Sequence, residues 1–188
     1  CCPQDLWRHM PAEVYCPPRE FYGGPVRPGD REVSKHGHSD HARDGHGSVL
    51  ATAEALAMMA VRYGVDFAGR TQAAGYGETT SVGGVEVRLI PAGHVLGSAQ
   101  AVVSQSGLIM TVSGDYKRRR DPTCAPFEAA PCHVFISEAT FGLPVFVHPP
   151  DTEEIQRLVS SLAQFPERAH LVGAYALGKA QRVMRLLR

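Results

Sequence analysis

Three features of the sequence predict a layered α/β fold. "VEVRLI" at 85–90 alternates apolar and charged residues as a half-solvated strand does. Apolar residues recur at helical spacing after Thr52 and again after Asp151. Strand pairs come first along the chain and helix–strand alternation follows. The chain has 188 residues, 44% of them hydrophobic, which suits one globular domain or slightly more with a real core.

Taken in order, residues 1–30 are rich in Pro and Gly ("YCPPREFYGGPVRPGD") and read as an irregular lead-in, with at most a short strand near Val14. "REVS" at 31–34 is the end of a strand that delivers a histidine-rich turn. Thr52 caps a helix that sets Leu56, Met59, Ala60 and Tyr63 on one side and stops at Gly64, so its apolar face needs a sheet to cover. In "VEVRLI", Val85, Val87 and Leu89 face one way and Glu86 and Arg88 the other; "QAVVS" and "LIMTVSGD" follow as strands separated by a Ser-Gly turn. "VFISEAT" at 134–140 reads as a buried strand ending in an acidic residue. A helix runs from Thr152 to about Phe165, with Asp151, Glu153 and Glu154 suited to its positive end. "HLVGAY" then reads as strand and "LGKAQRVMRLLR" as helix, and no repeat or low-complexity tract interrupts the pattern.

A formal net charge of zero and a pI near 7.3 exclude a global electrostatic footprint for nucleic acid, so any basic surface is local. The longest apolar candidate, "ALAMMAV" at 55–61, is too short to span a bilayer, and the first thirty residues hold no signal-peptide pattern, so a soluble, cytoplasmic protein is expected. The five cysteines, at 1, 2, 16, 124 and 132, have no C-x-x-C spacing; reduced thiols are expected, with Cys124 and Cys132 in packing roles. The chain starts on Cys1 rather than Met and stops on "VMRLLR" with no closing Gly, Asn or Pro, which reads as a fragment.

"HGHSDH" at 36–41 carries the chemistry. His36 and His38, two apart on extended backbone, project to the same side, while Asp40 and His41 sit on the following turn, so two ligand pairs can face two ions. "PAGHVLGSAQ" sets His94 just after a strand, and "VSGDY" sets Asp115 at the end of another. Each has a Gly directly before the polar residue, as suits a tight loop that turns one side chain toward a common centre. His46 is a partner of these ligands or an ordinary surface residue.

In this order the ligands resemble those of the metallo-β-lactamase superfamily. The resemblance implies an αββα sandwich, incomplete here, over 1–135, and the start of a β-CASP-like region, truncated, over 136–188. It also implies that His36, His38 and His94 bind one ion, that Asp40 and His41 bind a second, and that Asp115 bridges the two. Such ligands suit two divalent ions, Zn²⁺ first, with Mn²⁺ or Fe²⁺ as alternatives. A pair of ions acidifies a bound water and stabilises an in-line displacement, so metal-assisted hydrolysis follows. The family pattern supplies a further His to the second ion, expected beyond Arg188, which puts full activity of the fragment in question.

Flanking words narrow the substrate. "SEATFG" at 137–142 resembles the Glu-containing motif that opens the β-CASP region of nucleic-acid-processing members, and "AYALGKAQRV" at 174–183 resembles their helix start. "HGHSDHA", "GDYKRRRDPTCAPFE" and "EATFGLPVF" together resemble the DNA-ligase-associated exonuclease family of bacteria, over essentially the whole chain. That implies a DNA exonuclease working with a ligase and a helicase in repair. By the same resemblance Glu138 orients or tunes a catalytic His supplied later in the chain, beside Asp40 and Asp115 in the catalytic set; a helix cap or loop salt bridge is its structural alternative.

The residues themselves add a basic run, Lys117, Arg118, Arg119 and Arg120, directly after Asp115, and a stripe of Lys179, Arg182 and Arg185 on a glycine-led helix. Both are candidate phosphate contacts, against the ordinary reading of a solvated charged face. Tyr116 and Phe141 are candidates for base stacking or for the core. Three alternatives stand beside the DNA exonuclease: an RNA-processing nuclease, a thioester or lactam hydrolase with no use for the basic run, and a metal-binding module without catalysis.

Overall fold

The computed structural model describes residues 8–10, 13–16, 21–23 and 28–188, the first three strands by their backbone alone. The described strands sort into two sheets. The first has the order β1 (Arg8–Met10), β2 (Glu13–Cys16), β3 (Phe21–Tyr22), β4 (Arg31–Val33), β5 (Ser48–Ala51), β6 (Thr71–Ala73). From β3 onward its neighbours run parallel. The second sheet holds β7 (Thr79–Val82), β8 (Val85–Pro91), β9 (Ala99–Gln105), β10 (Leu108–Val112) and β11 (Val134–Ile136), antiparallel except where β11 joins β10. Its register pairs Val87 with Val103 and Val103 with Met110, so the apolar side of the alternating strand meets apolar neighbours.

That face closes on the first sheet. Val33 and Leu50 from one sheet and Val85, Val87, Leu89, Ala101, Val103, Met110 and Val112 from the other form a single core. The opposite face of the first sheet is covered by α1 (Ala53–Tyr63), whose Ala55 and Met59 pack on Val49, Ala51 and Phe67. Thr52 caps α1 by accepting from Ala55 N at 3.2 Å, and Gly64 ends it at φ 90°. Helix, sheet, sheet is the layer order that results, and both sheets aim their loops after β4, β8 and β10 at one rim.

Some sequence expectations change here. The lead-in over 1–30 carries three short strands, and its residues 1–7, 11–12, 17–20 and 24–27 lie outside the described residues, Cys1 and Cys2 among them. "VFISEAT" shortens to Val134–Ile136 and is not buried: Phe135 is exposed, because β11 has a neighbour on one side. "HLVGAY" is not a strand; Leu171 is 98% exposed and the segment joins no ladder.

By contacts the chain divides into Cys1–Glu138 and Ala139–Arg188. The second unit holds α2 (Asp151–Gln164), with Asp151, Glu153 and Glu154 in its first turn, and α3 (Lys179–Leu186). No helix among the described residues is long and apolar enough to cross a membrane.

Candidate metal centre

Three loops at the rim of the sandwich each contribute to one cluster. Beyond β4 the backbone stays extended, with Ser34 N donating to Leu50 O at 2.9 Å, and this carries His36 into the interior, where it is fully buried. The chain then turns: His41 N and Ala42 N both donate to His38 O, at 3.1 and 2.8 Å, which swings Asp40 and His41 around to the same side. After β8, the loop holding His94 is shaped by Ser98, whose Oγ accepts from His94 N at 3.0 Å and Val95 N at 3.1 Å. Two glycines in that loop have no room for a side chain: a Cβ at Gly93 would crowd Lys117 O and Phe127 N, and one at Gly97 would lie 2.7 Å from Glu54 Cβ. After β10, Gly114 at φ 57° turns Asp115 inward.

The donors converge. One ligand atom each from His36, His38, His94 and Asp115 lies within 4.8 Å of all the others. His94 Nε2 and His38 Nδ1 face each other at 3.3 Å. The Asp115 carboxylate is two-sided: Oδ2 stands 3.6 Å from His36 Nε2 and 3.7 Å from His94 Nε2, while Oδ1 stands 3.4 Å from His41 Nε2. His41 Nε2 is also 3.6 Å from Oδ2 of Asp40, whose side chain is 74% exposed. The structure thus gathers His36, His38, His94 and Asp115 into one cluster, sets His41 against Asp115, and places the exposed Asp40 beside His41.

The cluster suits a divalent cation on chemical grounds. Both ring nitrogens of His36 are buried with no hydrogen-bond partner, an arrangement that costs about 1–3 kcal/mol unless something else takes the lone pair. Burial holds the His36 pKa far below its ordinary value, and the neighbouring rings of His41, His94 and His38 and the Lys35 ammonium push the same way. His94 is lowered as well, by burial first, against the pull of Asp115. Both imidazoles are therefore neutral at pH 7, the form that ligates metal.

Around the ligands stand residues that the spacing of the motifs does not announce. Arg62 Nη1 donates to Gly37 O at 2.5 Å and Tyr63 Oη to Ala42 O at 2.9 Å, both from the last turn of α1. Thr52 Oγ1, besides capping α1, donates to Gly97 O at 2.7 Å. Gln100 Nε2 donates to Pro91 O and Glu128 O, tying the loop after Asp115 to the sheet. The buried Lys35 has its pKa lowered to about 8 by burial, against the attraction of Glu32 and Asp115. His46, read as ligand partner or surface residue, is neither: it is buried and its Nε2 meets Glu32 Oε2 at 2.9 Å. A sequence signal existed for it, since a charged Glu32 inside a strand needs a partner.

Glu138 N donates to Ser113 Oγ at 3.4 Å, and its charge is felt at His94. Tyr116 stacks against Phe127 at 5.4 Å and meets Phe135 at 6.3 Å, an aromatic cluster of the protein itself. Lys117 is engaged by Asp121 at 3.0 Å, while Arg118, Arg119 and Arg120 are exposed. In the second unit Lys179 Nζ lies 4.6 Å from the Tyr175 ring centre, Arg182 sits one turn further along α3, and Phe141 packs edge-on to Phe146 and His148.

No family model matches the chain. It is 29% identical over 162 residues to a probable DNA ligase of Opitutus terrae, a match that covers 84% of this chain and 16% of that protein. It is 33% identical over 117 residues to the endoribonuclease ysh1 of Aspergillus fumigatus, covering 60% of this chain and 13% of that one. A third relative, cleavage and polyadenylation specificity factor subunit 3 of Dictyostelium discoideum, is 34% identical over 116 residues, covering 60% and 15%. The chain spans 13–16% of the length of these curated relatives. Over 60–84% of its length the chain is thus similar to proteins named as a probable DNA ligase, an endoribonuclease and a cleavage and polyadenylation factor.

Proposed function

We propose that the chain holds the metal centre of a two-ion phosphodiesterase that cleaves nucleic acid. The observation that carries the reading is the two-sided Asp115 carboxylate, one oxygen toward His36 and His94 and the other toward His41. His36, His38 and His94 would hold one ion and Asp40 and His41 a second, with Asp115 between the two groups. Divalent ions bound there supply an acidified water and charge stabilisation for an in-line displacement. The chain's own residues do the rest: buried, neutral His36 fixes the inner ligand position, Asp115 keeps the two ligand groups in register, and Glu138 sets the charge around His94. Exposed Arg118, Arg119 and Arg120 follow Asp115 directly and receive phosphates flanking the one that reacts. Lys179 and Arg182 on α3 are further phosphate contacts.

The finer reading is a zinc-dependent DNA exonuclease that works with a ligase and a helicase. It is supported by the match to a probable DNA ligase along 84% of the chain. An RNA-processing nuclease is supported equally, by higher identity to relatives named as an endoribonuclease and a cleavage and polyadenylation factor. One experiment separates them: the metal-loaded protein is incubated with DNA and RNA of the same sequence, each labelled at one end. Stepwise loss of the label from DNA supports the exonuclease, and internal cuts in RNA support the alternative. Cleavage of neither, with turnover of a thioester or a lactam, overturns both.

A further inference from the structure

Three of the six ligands, His38, Asp40 and His41, sit on one turn, residues 37–42, and that turn is fastened at both ends by a single helix. On its N-terminal side Gly37 O accepts from Arg62 Nη1 at 2.5 Å; on its C-terminal side Ala42 O accepts from Tyr63 Oη at 2.9 Å. Arg62 and Tyr63 are consecutive in the last turn of α1, and the Arg62 guanidinium carbon lies 5.6 Å from the Tyr63 ring centre, so each steadies the other. A third residue of the helix borders the seat: a Cβ at Gly37 would lie 3.1 Å from Met58 Cε and 3.2 Å from Met58 Cβ, so the turn settles closely on α1. The remaining ligands are fixed by other means. His36 is locked by burial beyond β4, His94 by Ser98, and Asp115 by the turn at Gly114.

We propose that Arg62 and Tyr63 are positioning residues of the metal centre, a two-point clamp by which α1 holds residues 37–42 so that Asp40 and His41 face Asp115. This rests on the two-ion reading above. Its distinguishing consequence is asymmetry. Loosening the clamp disturbs Asp40 and His41, both of the residues assigned to the second ion alone, but only His38 of those assigned to the first. It leaves His36, His94 and Asp115 where they are, so the second ion loses more than the first. A residue that merely supported the fold would weaken both ions together.

The test is a titration of the metal-free protein with Co²⁺, followed by the visible ligand-field bands, for the wild type, Arg62→Met, Arg62→Lys, Tyr63→Phe and the double variant Arg62→Met/Tyr63→Phe. The wild type is expected to take up two equivalents. In Arg62→Met and Tyr63→Phe the second equivalent binds more weakly by about tenfold, approaching a hundredfold in the double variant, the range seen when partners of metal ligands are removed. The first equivalent stays within about threefold, and Arg62→Lys, which keeps a donor, recovers most of the loss. If the wild type binds two equivalents and the double variant binds both as tightly, the clamp is wrong while the two-ion reading stands. A wild type that binds a single equivalent overturns the two-ion reading and the clamp with it. Equal weakening of both equivalents, together with a lower melting temperature of the metal-free double variant, assigns the pair to the fold and also overturns the proposal.

Discussion

At the scale of single residues, Asp115 is the position on which the chemistry turns. Replacing it by Asn keeps size and one oxygen but removes the second carboxylate oxygen and the negative charge shared by the two ligand groups. Asp115→Asn is expected to lower hydrolysis by at least about a hundredfold, and to lower bound metal by about one ion, measured by elemental analysis of the dialysed protein. The buried pair of His46 and Glu32 gives a second test, on stability. Burial by itself lowers the His46 pKa, but the hydrogen bond and charge of Glu32, the bond from Gly29 N and the charge of Asp44 outweigh it, and the net shift is upward. A His raised in the fold binds its proton more tightly folded than unfolded. Its contribution is therefore complete below about pH 6.5, the unfolded value, and is lost as pH rises through the higher folded value. His36, His94 and Lys35, all lowered by burial, act in the opposite sense, so the His46 contribution is read as a difference. The gap in urea midpoint between the metal-free wild type and His46→Gln is expected to be widest near pH 6 and to narrow toward pH 9. Breaking such a pair costs about 3–5 kcal/mol, which sets the size of the gap at pH 6. A profile unchanged by the substitution would show that the pair carries no net stability.

At the scale of elements, α1 and the loop after β8 depend on one another. Thr52 serves both, capping the helix and donating to Gly97 O, and Gly97 at φ 71° leaves no space against Thr52 Oγ1 and Ala55 N. Gly97→Ala is expected to cost about 1–3 kcal/mol from the positive φ alone, and more from the clash. It should weaken binding at the ion held by His94, whereas Met59→Ala should cost about 2–5 kcal/mol of stability at the core and leave metal affinity unchanged. Chemical denaturation and metal titration of the two variants check the contrast. The elements differ in how readily the sequence discloses them. β8 is legible because it has one wet face, so Glu86 and Arg88 alternate with Val85, Val87 and Leu89. β5 is not, because Leu50 faces the inter-sheet core while Val49 and Ala51 face α1, which erases the period. "HLVGAY" fails for the opposite reason: its residues have strand character but no neighbouring strand to pair with, and propensity without a partner makes no sheet. The candidate ligands were legible because each stands in a short local motif, His36, His38, Asp40 and His41 in one hexapeptide and His94 and Asp115 each directly after a glycine at a strand end. Arg62, Tyr63 and Thr52 were not, since their bonds join segments 21 to 45 residues apart and carry no mark in either segment.

At the scale of the whole molecule, a chain of zero net charge has no long-range field to draw in a polyanion, so affinity for nucleic acid must come from a few cations near the site. Lys117 contributes least, because Asp121 neutralises it at 3.0 Å and Asp121 is held for that task, its carboxyl kept below the usual range by Thr123 and Lys117 despite its burial. Arg118, Arg119 and Arg120 follow it and are exposed. If these three meet phosphates, each contact releases counterions, and the logarithm of the binding constant falls against the logarithm of salt by roughly 0.7 per contact on a single strand and 0.9 on a duplex. Replacing all three by Gln is expected to reduce that slope by about 2 to 3, and to weaken binding by a similar factor for every sequence tested, since phosphate contacts carry no base information. Fluorescence anisotropy with a labelled oligonucleotide over a range of salt reads both quantities with Ca²⁺ in place of the catalytic ion. A salt slope equal to that of the wild type would remove the run from the nucleic-acid surface and leave Lys179 and Arg182 to account for it, because a protein without net charge has no diffuse source of the same effect.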